Sequence, residues 1–118
     1  MWLCSPDLGF FSIVLADDDM GQPDPNLLMV RARRKEHLVL LQERCEGLAG
    51  AEIIESALTD YRWRLIVKKE AFATAMSEIV MDLDYRNVKS RAHREEAKVG
   101  KGFVSALHRV WSVLHEIQ

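Results

Sequence analysis

Residues 60–69 read DYRWRLIVKK and carry the clearest strand pattern in the chain. Its apolar and basic residues alternate, with Tyr61, Trp63, Leu65 and Val67 on one face and Arg62, Arg64 and Ile66 on the other. Residues 27–33 (LLMVRAR) repeat this alternation, with Leu28, Val30 and Ala32 facing one way and Met29, Arg31 and Arg33 the other. Since successive side chains of a strand point to opposite faces, both segments predict an apolar face and an arginine-bearing face.

The segments before and between these strands predict the rest of a sheet. Residues 10–16 (FFSIVLA) form a short β-rich run that we expect to be hairpinned to residues 27–33. Residues 17–26 (DDDMGQPDPN) contain two prolines and a glycine, which predict a long exposed loop. Residues 51–56 (AEIIES) are a weaker strand candidate, because Ile53 and Ile54 are its only strong β formers.

Three segments have the apolar spacing of helices. Residues 34–46 place Leu38, Leu41 and Cys45 on one side, and Gly47 stands where a C-cap glycine is expected. Residues 70–83 give a stripe of Phe72, Met76, Ile79, Val80 and Leu83, and the segment from residue 102 onward gives one of Phe103, Leu107, Val110, Trp111 and Leu114. Residues 84–101 form a polar, partly helical connection with six basic and three acidic residues.

This order of elements, β-β-α-β-β-α-α, predicts an α+β fold with an antiparallel sheet and helices on one face. A ferredoxin-like plait or a permuted variant is the expected arrangement. No repeat, low-complexity segment or linker divides the chain, so residues 1–118 are predicted to form a single domain.

The net charge of −2 conceals an uneven distribution. Residues 1–60 carry 11 acidic and 5 basic residues, whereas residues 61–118 carry 7 acidic and 11 basic ones. The total argues against a globally basic nucleic-acid or membrane binder but leaves room for a local anion site.

No apolar run approaches a membrane span and no signal-peptide pattern begins the chain, so we predict a cytoplasmic protein with no membrane association and two reduced cysteines.

The candidate binding residues on the predicted sheet are Arg31, Arg33, Arg62 and Arg64. If the two strands are neighbours, like charges come within about 5 Å and repel unless an anion lies between them. Arginine suits phosphate or carboxylate because its planar fork makes two parallel hydrogen bonds. The alternative is an ordinary exposed face whose arginines pair with Asp60, Glu55 or Glu52, each pair worth roughly 0 to 1 kcal/mol.

A second candidate set, Tyr85, Asn87 and Lys89, lies in the polar connection. With the nearby basic residues it offers an aromatic ring, hydrogen bonds and charge, which could hold a nucleotide or a single strand. The alternative is a solvated loop anchored by Tyr85 on the core.

Catalytic, cofactor and metal sites are not predicted. The glycine-rich phosphate motifs are absent. A metal-independent phosphoesterase would have to use His93, for which His37 is the only other histidine we can nominate as a partner. His108 and His115 lack the further ligands that zinc requires.

Several segments together resemble a widespread family of small uncharacterised bacterial and phage proteins; they are FFSIV, VRAR, DYRWR, DYRNVK and VWSVL, and the likeness covers most of the chain. Arg86 and Val88 depart from the proline and phenylalanine often found at these places. The resemblance implies one domain and brings no established activity, while the occurrence of the family in phages implies that an anti-defence role should be considered.

The sequence therefore favours a small non-catalytic module that binds an anionic small molecule, nucleotide or nucleic-acid segment. A protein-interaction or inhibitor module, acting on a protein partner or on a second copy of the chain, is the alternative.

Overall fold

A five-stranded antiparallel sheet organises the structure, a computed structural model that describes residues 1–118. Its strands are β1 (Trp2–Ser5), β2 (Gly9–Asp17), β3 (Pro23–Ala32), β4 (Ile54–Glu55) and β5 (Trp63–Lys68). They are ordered β1-β2-β3-β5-β4 across the sheet. The predicted α+β class is confirmed, and the arrangement is compatible with a ferredoxin-like or permuted plait.

The helices are α1 (Lys35–Arg44), α2 (Lys69–Met81), α3 (Val88–Arg94), α4 (Glu96–Val99) and α5 (Lys101–Leu114). Helices α1 and α2 pack against β3 and β5, while α3, α4 and α5 pack on one another and α4 contacts α1. None of these helices has the length and apolar character that crossing a bilayer requires.

Two apolar clusters hold these layers together. The larger lies between the sheet and the first two helices and includes Phe11, Val30, Leu38, Leu41 and Leu65, all without exposed surface. The smaller joins the C-terminal helices through Ala92, Val99, Phe103 and Val104. Phe10 and Leu40 pack against the smaller cluster and so connect it to β2 and α1.

The strand boundaries differ from the prediction at the N-terminal end. Strand β1 was not predicted, and β3 begins at Pro23, so the expected loop at residues 17–26 is wrong over its second half. Proline lacks an N–H group and is tolerated where a strand has a free edge. Strand β5 pairs only with Leu27 to Ala32 of β3, which leaves the proline-containing end with such an edge.

Smaller corrections concern the helix ends. Gly47 lies inside the 3-10 turn Glu46–Leu48, and Cys45 instead follows the last residue of α1. The weak strand at residues 51–56 is reduced to Ile54–Glu55, and residues 84–101 contain the short helices α3 and α4.

Both predicted helical stripes are only partly buried. In the second helical segment Val80 is 65% and Leu83 is 53% exposed, and Leu83 lies beyond the end of α2 at Met81. In α5, Phe103 is buried, whereas Val110, Trp111 and Leu114 each expose half of their surface or more.

Candidate functional site

The two arginine-bearing strands are neighbours in the sheet. Strands β3 and β5 pair antiparallel, and Arg31 lies directly opposite Arg64. Arg33 follows β3 by one residue, and Arg62 precedes β5 by one. Trp63, Leu65 and Val67 face the helices as predicted, so the arginines lie on the other face, which we call the open face.

Tyr61 belongs to the arginine cluster and not to the core, which corrects its predicted orientation. The guanidinium carbon of Arg31 is 4.9 Å from the centre of the Tyr61 ring, and that of Arg33 is 4.5 Å away. Cation–π attraction at such distances offsets part of the repulsion between like charges. Tyr61 therefore helps to hold two arginines side by side.

The other partners of these arginines are uncharged. Arg31 donates to the Ser12 hydroxyl at 2.7 Å. Arg64 donates to the Thr59 hydroxyl at 2.8 Å and to the Tyr61 carbonyl at 3.2 Å. The Nε atoms of Arg31 and Arg64 are buried without a hydrogen-bond partner.

Carboxylates do not neutralise the centre of this cluster. Arg62 forms the ion pair expected of an ordinary exposed sheet face, because its Nε donates to a Glu55 carboxylate oxygen at 2.7 Å. No carboxylate lies within ion-pair distance of Arg31, Arg33 or Arg64. Three positive charges on the open face are therefore uncompensated.

The second predicted set lies elsewhere. Asn87 caps α3, where its side-chain oxygen accepts the Ser90 N–H at 2.9 Å. The Lys89 ammonium lies 3.8 Å from the centre of the Trp111 ring. None of the hydrogen bonds or ion pairs in the structure joins Tyr85, Asn87 or Lys89 to the arginine cluster.

Tyr85 lies in an ion-pair network that fastens the loop before α3 to the turn between β1 and β2. Arg91 donates to Asp7 at 2.7 Å and to Asp84 at 2.9 Å, and its guanidinium lies 5.7 Å from the centre of the Tyr85 ring. Burial first, and the neighbouring Asp7 carboxylate second, raise the pKa of the Tyr85 phenol above its usual value.

An apolar groove of about 420 Å³ adjoins the arginine cluster and was not predicted. One wall is the open face at Trp2, Cys4 and Phe10; the other is α5 at Gly102, Phe103, Ala106, Leu107 and Val110. Arg33 lines the groove and also contacts Tyr61, so it joins the two features. The groove could not be predicted from the sequence, because β1 was not predicted and the apolar stripe of α5 does not show which part of the sheet it faces.

His37 forms the floor of this groove and is only 3% exposed. Its Nδ1 accepts the Phe10 N–H at 3.3 Å, so Nε2 carries the ring proton and donates to the Val99 carbonyl at 2.9 Å. Both nitrogens are engaged in structural contacts, whereas His93 is exposed and lies beside Glu96. His37 thus has no free nitrogen with which to assist His93 in catalysis.

We expect acidification to destabilise the protein through His37. Burial lowers the pKa of His37 below its usual value of 6.5, because the charged ring would lose solvation. As the pH falls below about 6.5, the unfolded chain takes up this proton before the folded chain does, so the free energy of unfolding decreases. Urea unfolding followed at about pH 7.5 and about pH 5.5 checks this expectation; equal or greater stability at the lower pH would contradict it.

Comparison of the chain with protein-family models, with curated proteins and with solved structures gives no match. The resemblance to small bacterial and phage proteins therefore stays a prediction from the sequence segments.

Proposed function

We propose that this protein is a small non-catalytic binding module that holds an anionic ligand on the open face. The observation that carries the proposal is the collection of Arg31, Arg33 and Arg64 around Tyr61 with no carboxylate among them. Guanidinium groups placed together cost free energy through mutual repulsion, and a bound anion would remove that cost. Their planar donors match phosphate and carboxylate oxygens.

An exposed aromatic residue on the same face supports a nucleotide or a nucleic-acid segment as the ligand. Trp2 is 73% exposed and pairs with Ser12, which in turn pairs with Arg31. An aromatic ring beside phosphate-binding groups can stack on a base. In this proposal Lys89 and Tyr85 do not contact the ligand, since they lie against Trp111 and Arg91, and Asn87 caps α3.

The test is a calorimetric titration with three probes, namely inorganic pyrophosphate, ADP and a short single-stranded DNA, at low and at physiological salt. We expect binding of at least one probe, weaker at higher salt. Arg33→Gln and Arg64→Gln should each weaken it by about ten- to a hundredfold, the usual range for a charge-assisted hydrogen bond. Arg62→Gln is the matched control and should change affinity by only about twofold, because Glu55 already engages Arg62.

The melting temperature separates a binding site from a structural cluster. The Arg33 side chain makes no hydrogen bond or ion pair in the structure and lies beside other positive charges, so Arg33→Gln should leave the melting temperature unchanged or raise it. Arg64→Gln also removes hydrogen bonds to Thr59 and to the Tyr61 carbonyl, so its melting temperature does not serve for this distinction. Absence of binding to all three probes would overturn the proposal. So would a loss of more than about 1 kcal/mol of stability in the Arg33 variant, which would mark a structural residue.

A second candidate, a protein-interaction or inhibitor module, is favoured by the C-terminal part of α5 and the turn after it. The residues there are unusually apolar for an exposed surface: Val110, Trp111, Val113, Leu114 and Ile117. Absence of binding in all anion titrations, together with self-association that Trp111→Glu abolishes, would favour this candidate.

A further inference from the structure

The groove between α5 and the open face has the size and the lining of a small-molecule site. Its volume of about 420 Å³ falls within the roughly 300–1,000 Å³ of typical ligand pockets. Seven of its eleven lining residues are hydrophobic.

The groove offers few neutral hydrogen-bonding groups, of which the indole N–H of Trp2 is one. Both nitrogens of His37 are engaged by Phe10 and Val99. Cys4 supplies a thiol, which is a weak hydrogen-bond donor, and partial burial raises the pKa of that thiol. A nucleobase would find few hydrogen-bond partners for its ring nitrogens and exocyclic groups. A hydrocarbon chain or simple aromatic ring has no polar groups, so its burial in the groove would leave no hydrogen bond unmade.

The charged groups of the groove are both arginines. Arg33 forms no ion pair, and Arg34 approaches Glu36 only at 3.6 Å. Both residues line the groove from the connection between β3 and α1, and the other lining residues are uncharged. This combination of charge and apolar surface is complementary to a molecule with one anionic head and an apolar body.

We infer that the groove binds a small organic acid, with its apolar body between Phe10 and α5 and its carboxylate against Arg33. The inference rests on the proposed function only in that Arg33 belongs to both sites. It gives the groove a ligand of its own, an amphipathic anion, beside the nucleotide or nucleic-acid segment proposed for the arginine cluster. Burial of the body supplies affinity, and the arginine supplies selection for the charged head.

Decanoate is the probe, with decanol as the neutral analogue of its chain and acetate as its head group alone. We expect decanoate to bind at least about tenfold more tightly than either, because only decanoate uses both the apolar walls and the arginine. The wild-type protein also provides an internal reporter: Cys4 lines the groove, whereas Cys45 is fully buried. Decanoate should therefore slow alkylation of Cys4 by iodoacetamide.

Gly102→Leu tests the position of the ligand. A Cβ atom at Gly102 meets nothing within 4 Å, so the new side chain can enter the groove without displacing the fold. We expect this variant to lose decanoate binding by about tenfold or more while pyrophosphate binding stays as in the wild type. Ser105→Leu is the matched control, since it adds the same side chain to an exposed position of α5 outside the groove.

Each outcome decides between the two claims. Pyrophosphate binding without decanoate binding or Cys4 protection would overturn the groove inference and leave the proposed function standing. Decanoate binding that needs Arg33, without binding of pyrophosphate, ADP or DNA, would uphold the groove and overturn the wider anion site. Equal binding of decanol and decanoate would overturn the inference, because no anion would be selected. If Gly102→Leu unfolds the chain by circular dichroism, Ala106→Leu fills the same groove, and the Cys4 measurement needs no variant.

Discussion

Replacement of Gly9 by alanine should lower the free energy of unfolding by about 3 kcal/mol or more. Gly9 opens β2 with a φ of +114°, a conformation that residues with a Cβ atom rarely adopt. An added Cβ would lie 2.2 Å from the Cγ atom of His37. The ring cannot retreat without breaking its hydrogen bonds to Phe10 and Val99, so strain and overlap add together.

Urea unfolding measures this loss, and the melting temperature should fall by roughly 10 °C or more. Gly50→Ala is the matched control, because a Cβ atom there meets nothing within 4 Å and no positive φ is required. We expect the control to stay within about 1 kcal/mol of the wild type. If both variants had the same stability, the close packing of Gly9 on His37 would be refuted.

His37→Ala should cost about 3 to 5 kcal/mol, since it combines a core cavity with two orphaned backbone groups. The Phe10 N–H and the Val99 carbonyl would lose their partner. The imidazole ring also packs edge-on against Phe103, with ring centres 5.2 Å apart. His37 therefore connects β2 and α1 to the C-terminal helices, and its loss should loosen that connection.

A double-mutant cycle distinguishes this account from general fragility. In the His37→Ala variant the imidazole ring that an added Cβ atom at Gly9 would overlap is absent. Gly9→Ala should therefore lower the free energy of unfolding by less in this background than in the wild type. Strict additivity of the two effects would contradict the predicted contact. His108→Ala, an exposed histidine of α5, is the control and should change stability by less than about 0.5 kcal/mol.

The features that sequence predicted well are local ones. The alternation in β3 and β5 is set by neighbouring residues, so an apolar face and an arginine-bearing face could be predicted. The register that places Arg31 opposite Arg64 comes from the pairing of the two strands and could not be predicted. Strand β1 has only four residues, and its character comes from pairing with β2 more than from its own pattern. The prolines of β3 obscured a strand end that only the position in the sheet makes acceptable.

The parts of the site that escaped prediction depend on distant contacts. Tyr61 precedes β5, where alternation no longer governs orientation, and its ring is held by two arginines about thirty residues earlier in the chain. The groove needs α5 to approach β1 across almost the whole sequence. The loop containing Tyr85 and Asn87 is fixed by Arg91 binding Asp7, a contact between residues 84 positions apart.

The strand order also bears on when the arginine cluster forms during folding. Strands β1, β2 and β3 are neighbours in the sheet and consecutive in the chain, so their hairpins close short loops. Strand β5 pairs with β3 across a longer stretch of chain that includes α1, so we expect it to join the sheet later. Arg64 reaches Arg31 only at that later step, so a chain that has formed just its first three strands presents Arg31 without its partner. The binding face is thus expected to be a product of late folding, absent from any partly folded form that lacks the β3–β5 pairing.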